Sequence, residues 1–75
     1  MEYHEFVCEG AAALFVATAD SDPTHIPAAA QRCCEKWVYS QTFRLGDGTH
    51  SPSLDAAIRV RVASDGYHLY IKRPS

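Results

Sequence analysis

Nowhere does the chain carry an apolar run long enough to cross a bilayer. The longest, Ala11 to Ala19, is about half of what a spanning helix requires. Glu2, Glu5 and Glu9 stand where a secretory leader would be basic, so neither a membrane contact nor an export signal is expected. Cysteine comes as three residues, an odd number. Cys8, Cys33 and Cys34 cannot all pair within one chain, and sequence neighbours rarely bridge. That argues against a disulfide scaffold and for a reducing compartment, the cytoplasm. The zinc spacings C-x2-C and H-x3-H are missing, and His4 could meet Cys8 only if the N-terminus were helical. Cysteines buried as small hydrophobes are the expectation, with no metal.

Phosphate- and calcium-binding loops are absent too. Gly46-Asp47-Gly48 is not followed by Gly-Lys-Ser/Thr and reads as a turn; Asp20-Ser21-Asp22 lacks the remaining calcium ligands and reads as a helix cap. Nothing in the order of residues aims His25 or His68 at Cys34, or a histidine at Glu35, as a nucleophile and base would require. A chain this short has little volume for a pocket, so neither an enzyme nor a cofactor is expected.

What is present is a foldable composition. Hydrophobic residues make up 47% and charged residues 21%, far from the disordered regime. Seventy-five residues suit a single domain, 1–75, with a thin core. The net charge of −2 conceals an asymmetry. Residues 1–41 carry six carboxylates against Arg32 and Lys36, a net of −4, while residues 42–75 carry five cations against three carboxylates, a net of +2. Glu2, Glu5, Glu9, Asp20 and Asp22 could therefore imitate a row of phosphates, or simply be solvated.

Between Glu2 and Ala19 two readings compete. Val7, Ala11, Leu14 and Phe15 would share a helical face, but Phe6-Val7-Cys8 and Leu14-Phe15-Val16 are rich in strand formers, and Gly10 would weaken a helix by about 1 kcal/mol. Two strands, Tyr3 to Cys8 and Ala12 to Thr18, turning at Glu9-Gly10, are preferred. Asp22 before Pro23, or Thr24 before Pro27, then caps a helix. Its apolar arc is Ile26, Ala30, Cys33, Cys34, Trp37 and Val38, opposite Gln31, Arg32, Glu35 and Lys36, and it gives way near Lys36 to Tyr39 to a strand through Thr42 to Leu45. Ser51-Pro52 starts a short helical turn or a loop.

The last segment carries the strongest pattern. Ile58, Val60 and Val62 alternate with Arg59, Arg61 and Ala63; Tyr67, Leu69 and Ile71 alternate with His68, Tyr70 and Lys72. A hairpin from Ala57 to Arg73 turning at Asp65-Gly66 would set Ser64 opposite Tyr67, Val62 opposite Leu69 and Val60 opposite Ile71. The fold expected is α+β, a small antiparallel sheet with one amphipathic helix on one face, in the order β-β-α-β-β-β. That register would also stack Arg61 on Tyr70 and oppose Arg59 to Lys72. Arg59, Arg61, His68, Tyr70, Lys72 and Arg73 would then form a basic, aromatic partner-binding face, or a solvated face that blocks edge-to-edge aggregation.

In size and architecture such a chain resembles the small inhibitors that phages carry against bacterial defence systems, the anti-CRISPR proteins among them. The resemblance implies a protein that occupies a nucleic-acid-binding surface of a protein or ribonucleoprotein complex; it assigns no residue a role. The expected function is accordingly non-enzymatic, stoichiometric binding of a macromolecular partner. Direct nucleic-acid binding through the hairpin face is the alternative, opposed by an isoelectric point near 6.0. No oligomeric state is legible.

Overall fold

A computed structural model describes residues 1–72. Its elements are β1 (Glu2–Cys8), β2 (Ala11–Thr18), a 3-10 turn (Pro23–His25), α1 (Ala28–Gln31), β3 (Trp37–Arg44), α2 (Pro52–Asp65) and β4 (His68–Ile71). The four strands form one antiparallel sheet in the order β3-β1-β2-β4. The α+β class stands, and so does the first hairpin turning at Glu9-Gly10. The connection after β2 crosses one sheet face, and α2 crosses the other on its way from edge strand β3 to edge strand β4.

Alternation along the strands sorts the core into two clusters. Phe6, Cys8, Val16, Ile26, Ala30, Cys34 and Trp37 pack beneath the β2–β3 connection; Tyr3, Ala17, Phe43, Ile58 and Tyr70 pack beneath α2. Each side chain of a strand takes the face opposite to its neighbour's, so β1 supplies both clusters. One bulge interrupts this in β3. Glu5 pairs with Gln41 but Phe6 pairs with Tyr39, leaving Ser40 as the extra residue.

The C-terminal hairpin expected from Ala57 to Arg73 is not formed. Its first arm is α2 and only its second arm is a strand; Arg73 lies outside the described residues. Ser51 caps α2 by accepting from the Leu54 amide, and Pro52 stands in the first turn. Gly66, at φ 87°, ends it in the left-handed conformation, so Asp65-Gly66 is a helix terminus and not a hairpin turn. Two periodicities coincide here. Ile58 and Val62 satisfy both an alternating and a helical pattern, but Leu54 extends the helical one, and Val60, which a strand would bury, is 56% exposed.

The amphipathic helix expected from Ile26 shrinks to the 3-10 turn and four-residue α1. Asp22 does cap the turn, accepting from the Thr24 amide, with Pro23 in its first position. The chain cannot continue helical, because Cys34 is bonded to Cys8 and the β-branched and aromatic run from Trp37 is taken into the sheet. That disulfide corrects a second expectation. Cys8, at the end of β1, and Cys34, just ahead of β3, have Cα atoms 5.9 Å apart, and Cys33 is left free and exposed. The bridge removes the ground on which a reducing compartment was expected. No helix among the described residues is long and apolar enough to cross a membrane.

Closing a loop of 26 residues, the bridge stabilises the fold by about 3 to 4 kcal/mol through loss of unfolded-state entropy. Thiol titration in denaturant should find one reactive group before reduction and three after it. Cys8→Ser with Cys34→Ser should lower the urea midpoint by a corresponding amount.

Candidate functional site

Strand β1 is central, and Glu5 lies on its α2 side in alternation with Tyr3 and Val7. A carboxylate there has no route to water: Glu5 is fully buried. Its neighbour across β2 is Ala17, the smallest side chain of the α2-side cluster. Over that small residue the Tyr70 hydroxyl reaches from β4, donating to Glu5 Oε1 at 2.6 Å. His50 Nε2, from the loop ahead of α2, donates to the same oxygen at 2.8 Å. Gln41 donates to Oε2 at 2.9 Å, and the Ser40 hydroxyl reaches it at 3.3 Å. Lys72 Nζ bridges both oxygens at 3.0 and 3.1 Å.

The aromatic rings around Glu5 are ordered by the same contacts. His50 meets Phe43 edge to face with centroids 4.5 Å apart, and Tyr70 likewise at 5.8 Å. Phe15 stacks on Tyr70 at 6.1 Å, and the Lys72 ammonium sits 4.6 Å from the Phe15 centroid. Burial by itself would raise the Glu5 pKa. The bonds from Tyr70, Gln41, Lys72 and His50 outweigh it and hold the carboxyl down at about 2. Burial, then the bond to Glu5, pushes the Tyr70 phenol well above its ordinary range.

Five donors on two oxygens leave Glu5 no lone pair turned to solvent, and the His50 side chain is only 2% exposed. The cluster cannot act as a base on a substrate. It is an anchor tying β1, β3, the loop ahead of α2 and the segment after β4 to one point. Elsewhere, the described residues hold no group of three or more potential metal ligands.

The sequence-predicted face is dispersed. Arg59 and Arg61 are exposed on α2, two residues apart and so on different sides of the helix. Arg59 lines a shallow groove with Leu45, Pro52 and Asp55. Arg61 lies 3.7 Å from Asp65. His68, half-buried on β4, stacks on Tyr70 at 5.7 Å; burial, then the Arg61 charge, lowers its pKa. Tyr70 and Lys72 are brought together, but at Glu5, and neither opposes an arginine. Arg73 is outside the described residues. The acidic row fares similarly: Glu5 is buried, Glu2 and Glu9 lie beside Arg44 and Lys36, and Asp20 and Asp22 face His25.

Glu5, Gln41 and His50 form the centre that the sequence reading missed as a unit. One signal was available: once Tyr3 to Cys8 is a central strand, Glu5 falls on the same inward face as Tyr3.

Glu5 titrates near 4.5 when unfolded and near 2 when folded, so its contribution is fully present above about pH 4.5 and is lost as pH falls through 2. The shift corresponds to about 3 kcal/mol. Denaturant midpoints should fall across this acid window, and Glu5→Gln should abolish that part of the pH dependence while lowering stability at neutral pH by about 3 kcal/mol or more.

None of the protein families, curated proteins or solved structures compared with the chain matches it.

Proposed function

We propose that this is a small non-enzymatic protein that acts stoichiometrically by binding a protein partner, and that the contact is made on the half of the α2-side sheet face that α2 leaves uncovered. One observation carries the reading. Val38, Val7 and Phe15 are paired in turn across β3, β1 and β2, and so form a continuous apolar row on one face. Val7 and Val38 belong to neither core cluster, and Val38 is 42% exposed. The row spans two strand spacings, about 10 Å, enough to seat an apolar segment of a partner.

The enclosed state of Glu5 and His50 supports binding over catalysis, because this carboxylate and imidazole are used up in the interior. Direct nucleic-acid binding receives less support. Lys36, Arg44, Arg61 and Lys72 each lie beside a carboxylate, and among the described residues no hairpin gathers the cations into a stripe. Inhibition of a nucleic-acid-binding complex would need a phosphate-like row, and four of the five acids expected to make one have cationic or histidine neighbours while Glu5 is enclosed.

Affinity capture from the native cells with three baits tests this. The wild-type chain and Arg61→Glu should retain a common protein in one-to-one ratio. Val38→Glu, with an unchanged circular dichroism spectrum, should lose it by roughly tenfold or more. Equal retention by all three baits, or loss with Arg61→Glu alone, would move the contact away from the apolar row.

A further inference from the structure

The sheet has two edges, and they are not alike. β4 is four residues long, and short edge strands resist pairing with other chains. β3 is eight residues long, carries no charge from Trp37 to Phe43, and contains neither proline nor glycine. Val38 and Tyr39 are 42% and 54% exposed along it. Such an edge offers unpaired backbone amides and carbonyls to another strand, with no lysine or proline to repel one.

We infer that β3 pairs with β3 of a second copy of this chain, antiparallel and about a two-fold axis perpendicular to the sheet, giving a continuous eight-stranded sheet. Residues directly opposite in an antiparallel pair share a face. A regular eight-residue strand laid on its own copy over its full length would violate this, because every pair would join residues of opposite faces. The bulge at Ser40 corrects the mismatch. It puts Val38, Gln41 and Phe43 on the α2 side and Trp37, Tyr39, Thr42 and Arg44 on the other. Full overlap then matches Val38 with Phe43, Tyr39 with Thr42, and Trp37 with Arg44, each pair sharing a face, with Ser40 and Gln41 flanking the axis.

Charge agrees with this register. Arg44 is the single charge on β3, and the two copies' arginines lie at opposite ends, so no like charges meet. Each stands opposite the partner's Trp37, within reach of the exposed Glu35 two residues beyond. In the isolated chain the Arg44 guanidinium makes a loose 3.8 Å contact with Glu2. This pairing goes beyond the binding reading above; it shares Val38 with the apolar row but rests on the edge of β3, not on Val7 or Phe15.

Cys33 is replaced by serine in the test, so that intermolecular disulfides cannot imitate the dimer. Sedimentation of Cys33→Ser should show a monomer–dimer equilibrium between about 10 μM and 1 mM. Adding Ser40→Lys places two ammonium groups beside the axis and should weaken dimerisation roughly tenfold or more, with the monomer's circular dichroism unchanged. Ser40 is exposed and its bond to Glu5 is the longest of the set, so the fold should tolerate the change. If it does not, mixed labelled and unlabelled Cys33→Ser should still give intermolecular NOEs between Val38 and Phe43 and between Tyr39 and Thr42. A monomer throughout the concentration range, a dimer indifferent to Ser40→Lys in folded protein, or intermolecular NOEs from other segments would overturn the inference.

Discussion

The buried Glu5 carboxylate is the constraint on which the rest of the structure depends. Removing a charge from water costs several kcal/mol, and here donors to both carboxylate oxygens offset it. Those donors come from four places that are far apart in sequence: Ser40 and Gln41 in β3, His50 ahead of α2, Tyr70 in β4, and Lys72 after it. Each can reach Glu5 only if the strand order is β3-β1-β2-β4 and α2 crosses the sheet as it does. A hydrophobic residue at this position would pack without specifying any of that.

The opposite face is held by different means. There the covering segment is the β2–β3 connection, whose 3-10 turn and single turn of α-helix are too short to hold their shape by backbone bonds alone. Ile26 and Ala30 pack into the sheet, and the Cys8–Cys34 bridge closes the segment's far end onto β1. A thin core is thus secured by a polar anchor on one face and a covalent one on the other, each compensating for apolar area that a 75-residue chain cannot bury.

Much of the sheet was legible because alternation in β1 and β2 has no helical rival once Gly10 is taken as a turn. The C-terminal part was not, and the reason is arithmetic. Residues four apart share a face in a helix as well as in a strand, so Ile58 and Val62 fit either, and Asp-Gly serves a helix end as readily as a hairpin. Leu54 and the Ser51-Pro52 start were the tie-breakers, and they lay outside the segment in which the alternation was read. The anchor was hidden for another cause. Its members are 35 to 67 residues apart from Glu5, and no spacing rule links them. The bridge was missed because adjacency of Cys33 and Cys34 excludes their pairing with each other but leaves either free to pair with Cys8.

With Glu5, His50 and Tyr70 turned inward, the apolar surface the molecule offers outward is set by the sheet itself. The apolar row of Val38, Val7 and Phe15 and the open edge of β3 meet at Val38. A two-fold axis perpendicular to the sheet keeps the faces of both copies in register, so α2 and the apolar row of one copy would lie on the same side as those of the other. Two rows presented in one plane by a rigid sheet need no linker to hold them apart. A partner displaying the same apolar segment twice would then be gripped at both, with the second contact strengthened by its enforced proximity to the first. A bulge of one residue in β3 would in this way join a self-pairing edge to a paired binding surface, by changing which side chains share a face.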